Sequence, residues 1–105
     1  MAESADDPWI GKYVVVRTRD AGVHAGILKG RDGRQCELQE SRRMWRWRVA
    51  GNKGITLSDV ARLGLDKRDT RLGGPVTILL TENCEIIECS AEAAANIAQF
   101  ATYEP

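Results

Sequence analysis

The chain has 105 residues and carries fifteen acidic and fifteen basic side chains, so its formal charge is zero. At 43% hydrophobic and 29% charged it is too apolar for a disordered chain, and its length suits one domain. No apolar run approaches the ~20 residues needed to cross a bilayer. The acidic start Met1-Ala2-Glu3-Ser4-Ala5-Asp6-Asp7 lacks the basic and apolar regions of a signal peptide. Cys36, Cys84 and Cys89 are odd in number and form no C-x-x-C pair, which points to a reducing cytoplasm.

The neutral total hides an asymmetry. Residues 8–75 hold all fifteen bases against seven acids, and residues 76–105 hold five acids and no base. The tightest basic run is Ser41-Arg42-Arg43-Met44-Trp45-Arg46-Trp47-Arg48. An anionic partner at the middle of the chain is one reading of this pattern. Internal pairing between the basic part and the acidic last third is the other.

Residues 1–8 are expected to be a disordered tail, and 9–105 a single α+β domain. Tyr13 to Thr18 is β-branched and reads as a strand, followed by turn residues Asp20-Ala21-Gly22. Val23 to Lys29 reads as a second strand, with Val23, Ala25 and Ile27 on one face and His24, Gly26 and Leu28 on the other. Gly26 within it signals a bulge or a close approach. Asp32-Gly33 suits a hairpin turn into a third strand, with Cys36 and Leu38 inward. The basic run is then a fourth strand, which completes a meander.

Thr56 and Asp59 resemble a helix-capping pair, with Leu57, Val60 and Ala61 on one stripe and Gly64 at the end. Residues 66–75 read as a loop. Val76 to Leu80 reads as a buried strand, and Glu85 to Cys89 as another across a Glu82-Asn83 turn. Ser90 caps a last helix whose apolar face is Ala93, Ile97, Phe100 and Ala101. The expected fold is α+β, an antiparallel sheet of five to six strands in a meander with two short helices.

Most catalytic constellations are missing. One histidine cannot build a multi-histidine metal site, and the cysteine spacing does not suit zinc. There is no phosphate-binding glycine loop and no nucleophile elbow. Glu85 and Glu88 are three apart in a strand, so they fall on opposite faces, which does not suit a glycosidase pair. The expectation is a protein that is not an enzyme and uses no cofactor or metal.

In a strand, alternation puts Arg43, Trp45 and Trp47 on one face and Arg42, Met44, Arg46 and Arg48 on the other. A guanidinium offers a planar fork of donors to phosphate oxygens, and an indole offers a surface on which a base can stack. Core packing is the competing role for the two tryptophans. Arg17, Thr18 and His24 extend the same chemistry into the first hairpin. Gly22 and Gly26 leave backbone amides approachable, as in small phosphate-holding turns.

Several of these blocks occur together. Val16-Arg17-Thr18, Ala21-Gly22-Val23, Ala25-Gly26, Arg42-Arg43-Met44-Trp45 with Trp47, and Leu57-Ser58 with Ala61 resemble the first type of Thoeris anti-defense (Tad) family of phage proteins. The likeness runs from about Tyr13 to Cys89. It implies a cytoplasmic protein of the infected host cell that sequesters cyclic ADP-ribose-type signals and releases them intact. Some members also hold the cyclic oligonucleotides of the CBASS system at separate sites. The resemblance further implies a homodimer or hexamer with ligand sites between subunits.

On that reading Arg17 and Arg43 take phosphate oxygens, and Trp45 or Trp47 stacks on adenine. Gly22 and His24 belong to a second, inter-subunit nucleotide site. Arg46 stands where the family places an aromatic, and His24 where relatives carry an aromatic or basic residue, so both imply an altered ligand preference. The partners expected are cyclic adenine nucleotides, with no stable nucleic acid and no membrane. The alternative is a small basic β-module that binds single-stranded nucleic acid through the same strand.

Overall fold

The β-branched run Tyr13–Thr18 forms strand β1, Val23–Asp32 forms β2 and Gln35–Arg46 forms β3, each antiparallel to the next. The computed structural model describes residues 7–104. Helix α1 spans Leu57–Leu63, and two strands follow at Arg71–Leu72 (β4) and Val76–Leu80 (β5). Strand β6 at Asn83–Glu88 and helix α2 at Ala91–Gln99 complete an α+β fold with one six-stranded antiparallel sheet. Its order is β4, β3, β2, β1, β6, and β5 lies beside β4 on the same edge of β3.

The two strands expected over the third strand and the basic run are one twelve-residue strand. What divides β3 is a bulge. Glu40 has a φ of 54°, and the β2–β3 register slips between Ala25 and Ile27. One extra residue turns every later side chain to the opposite face. Cys36 and Leu38 therefore enter one core while Met44, of the same parity, enters the other. Gly26 permits the crossing: a Cβ there would lie 2.9 Å from the Gln39 carbonyl oxygen and 3.0 Å from the Ser41 Cα.

Strands β5 and β6 do not form the expected hairpin. They sit on opposite edges of the sheet, on β3 and β1, although only Thr81 and Glu82 separate them. That connection reaches at most about 10 Å. The sheet must therefore coil strongly, and it wraps Val14, Val16, Leu28, Cys36, Leu38 and Leu80. The helices cover the outer face, burying Val15, Met44, Val60, Leu72 and Ile97 in a second core. Each such side chain contributes about 1.5–3 kcal/mol by leaving water.

Other expectations need amendment. Residues 66–75 contain β4, which pairs with the end of β3. Strand β5 is not buried, since Val76 and Leu79 are more than half exposed. Thr56 precedes α1 without a side-chain cap, and Asp59 pairs with Arg62 instead. Ser90 does cap α2, accepting from the Ala93 amide at 3.0 Å. Phe100 follows α2 rather than lying in it, and Ala101 is exposed. Asp7 and Pro8 were expected in the tail, but the Asp7 carboxylate accepts from the Trp9 amide at 3.0 Å and pairs with Arg31 at 2.7 Å. The rest of the expected tail, residues 1–6, lies outside the described residues.

Candidate functional site

Most arginines of the basic run have partners inside the fold. Arg42 is 3% exposed and donates to the carbonyls of Gly73, Ile97, Ala98 and Phe100 and to the Thr102 hydroxyl, at 2.6 to 3.4 Å. It closes the C-terminal end of α2, where helix carbonyls lack partners and the dipole favours a cation. Arg46 and Arg48 converge on Asp69, at 2.6 and 3.3 Å, and hold its carboxyl below the usual carboxylate range. Arg17 pairs across the sheet with Glu85 at 3.2 Å. Arg43 is different. It is exposed, and among the described residues its one hydrogen bond goes from Nη1 to the Ala21 carbonyl at 3.3 Å.

The turn that carries Ala21 is tightly tied. The Thr18 hydroxyl accepts from the Ala21 amide and donates to the Gly22 carbonyl, both at 2.8 Å. Gly22 takes a φ of 84°, which favours glycine. His24 is opposite Arg43 in the β2–β3 ladder, and its Nε2 lies 2.8 Å from the Ala21 carbonyl. The ring is 1% exposed, so it sits inside the fold and not on the surface expected of a direct nucleotide contact. Burial pushes its pKa below the ordinary value, Arg43 adds to that, and the Ala21 bond opposes it. Thr18, Gly22, His24 and Arg43 thus meet at one turn.

Trp45 and Trp47 do not share a face. A second bulge lies between Met44 and Arg46 in the pairing with β4 and breaks the alternation. Trp45 is 57% exposed and meets Tyr103 edge-on, with ring centroids 6.1 Å apart. Trp47 packs against the helix-side core and donates from Nε1 to the Ile55 carbonyl at 2.9 Å. It lines a shallow hollow with Arg46, Arg48 and Asp69, away from Trp45. Arg43 and Trp45 are the exposed residues on either side of buried Met44.

Sequence reasoning missed the surroundings of Trp45. Tyr103 receives the Arg71 guanidinium over its ring at 4.8 Å, and with Phe100, Gln99 and Lys67 it lines a cleft of about 720 Å³. Only the fold brings residue 103 beside residue 45, so no local pattern announced it. Among the described residues no cluster of three His, Cys, Asp or Glu is placed to hold a metal ion. Among them, too, no helix is long and apolar enough to cross a membrane.

With this geometry in place, comparison with known proteins gives a family. The profile of the family described as Domain of unknown function (DUF6948) covers residues 11–97, and the chain belongs to that family. No curated protein and no solved structure matches it.

Proposed function

We propose that this DUF6948 domain is a non-enzymatic binding protein that sequesters adenine-containing cyclic nucleotide signals, of the cyclic ADP-ribose type or the cyclic oligonucleotide type. Its biological effect is to silence a bacterial anti-phage defence from within the infected host cell. One observation carries the reading. Arg43 and Trp45 are the exposed arginine and tryptophan of the basic run whose chemistry the fold has not already used. Arg43 keeps four of its five N–H donors for a phosphate, and Trp45 offers an open indole to a base.

The pairing of Arg17, Arg46 and Arg48 with carboxylates argues against a nucleic-acid track, which needs a row of unpaired cations. Arg43 and Trp45 lie on the open surface of one chain, where a second copy could complete a pocket around them. The uncharged outer edge of β5, with Val76 and Leu79 exposed, is an unprotected strand that suits such an association.

The direct test incubates the protein with cyclic ADP-ribose isomers and cyclic oligonucleotides, then filters and heats it. Free signal should fall on incubation and return chemically unchanged on heating, as read by mass spectrometry. A linear or hydrolysed product would place the protein among enzymes instead.

A further inference from the structure

The Ala21 carbonyl accepts two hydrogen bonds, from His24 Nε2 at 2.8 Å and from Arg43 Nη1 at 3.3 Å, so both of its lone pairs are used. For Nε2 to donate from a neutral ring, the other nitrogen must carry the lone pair. His24 Nδ1 is buried and has no partner among the described residues. A proton added there would find no acceptor and would put a second positive charge beside Arg43, its cross-strand neighbour.

We propose that His24 is a positioning residue for an oxyanion site at Arg43: its ring fixes the carbonyl on which the Arg43 guanidinium rests, and this couples proton uptake at His24 to anion binding at Arg43. The proposal rests on the reading of Arg43 as an anion contact. An oxyanion on Arg43 neutralises the charge facing the imidazole and draws the guanidinium from Ala21, freeing a lone pair of that carbonyl. Both effects favour the imidazolium. The coupling is reciprocal, so the anion must bind more tightly as His24 gains its proton.

The surroundings leave Arg43 in control. Arg43 is the charged group facing His24 from β3. Val16, opposite on β1, and Ser41, on β3, are uncharged, and Asp20 of the turn is exposed and lies 3.8 Å from Arg19. Burial pushes the His24 pKa below the ordinary imidazole value, so the coupled window lies there.

His24 is the chain's one histidine, so its ring resonances in an NMR titration need no assignment. The probe is sodium pyrophosphate, added to the full-length protein. In wild type the ring should be the Nε2–H tautomer, and pyrophosphate should move its titration to higher pH. Arg43→Ala should raise the titration without pyrophosphate and make it insensitive to the probe. Wild-type affinity should rise about fivefold or more between about pH 7.5 and about pH 5.

His24→Gln, whose amide can still donate to Ala21, should keep the affinity at the higher pH and lose the rise. A ring with only a packing role would leave that slope unchanged. Titration of His24 that ignores pyrophosphate, or a His24→Gln protein with the wild-type slope, overturns the proposal. Depletion of cyclic nucleotides without this linkage would sink the coupling alone. The linkage without depletion would leave the anion site standing and remove the sponge reading.

Discussion

Arg42 gives all five guanidinium N–H groups to oxygen atoms, four of them backbone carbonyls, whereas Arg43 beside it gives one. Their substitutions should therefore separate stability from binding. Arg42→Ala strands buried acceptors at the end of α2 and should cost about 3 kcal/mol, since orphaned buried polar groups bear their desolvation penalty uncompensated. Arg42→Lys should recover little, because an ammonium has fewer donors and no planar fork. Arg43→Ala should change stability by less than about 0.5 kcal/mol, as surface substitutions do. Urea denaturation with intrinsic tryptophan fluorescence reads all three.

The thiols give a second check at this scale. Cys84 is exposed, Cys36 is buried, and burial with the neighbouring Glu88 charge pushes Cys89 up to about 12. Native protein should label rapidly with a maleimide at Cys84 alone, and all three should label in denaturant. Fast labelling of Cys89 would mean that the β6–α2 junction is open.

At the scale of elements, the bulge in β3 decides which side chains face solvent. Glu40 in the left-handed region is strained, so Glu40→Gly should stabilise the protein by about 1 kcal/mol and Glu40→Val should destabilise it by a similar amount. Deleting Glu40 should abolish folding, because Arg42 and Met44 would turn to the wrong face. Gly26→Ala should be costly as well, since its Cβ would meet backbone that cannot move aside. Circular dichroism and thermal melts distinguish these cases.

The same bulges explain what the sequence could announce. The first hairpin, the glycine close approach and the Ser90 cap depend on neighbouring residues, and those were legible. The facing of Arg43, Trp45 and Trp47 was not, because strict alternation fails where β3 pairs with β4. Nor were the pairing of β5 with β3 and the Tyr103 contact, both made by residues far apart in the chain. Of the expected site, Thr18, Gly22, His24 and Arg43 converge, Trp45 is exposed two residues on from Arg43 and meets Tyr103, and Arg17, Arg46 and Trp47 have structural partners elsewhere.

Across the whole molecule, the charge asymmetry is partly internal. Lys12, Arg17 and Arg34 pair with Glu88, Glu85 and Glu82 of the acidic last third. Acid should weaken the fold in two stages. His24 titrates lower in the fold than in the unfolded chain, so its contribution is complete above the ordinary imidazole value and is lost as pH falls toward its folded value. Asp7, Asp66 and Asp69, lowered by Arg31, Arg68 and Arg46, lose theirs below the ordinary carboxylate value. His24→Gln should remove the first stage and leave the second, as read by melting temperature against pH.

Association belongs to this scale too. If the proposed second copy docks at the open edge of β5, wild type should be larger than a monomer in light scattering and Leu79→Glu, which puts a charge there, should be monomeric. Unchanged mass would place the contact elsewhere.

On the function proposed above, Arg43, two residues from Trp45, holds the phosphate of a cyclic adenine nucleotide without transforming it. Calorimetric titration of such a signal into wild type and Arg43→Ala tests it most directly. Loss of a charge-assisted contact should weaken binding by about one to two decades while the fold and oligomer stay intact. Equal affinity in the two proteins would contradict the account and leave Arg43 a solvated surface residue.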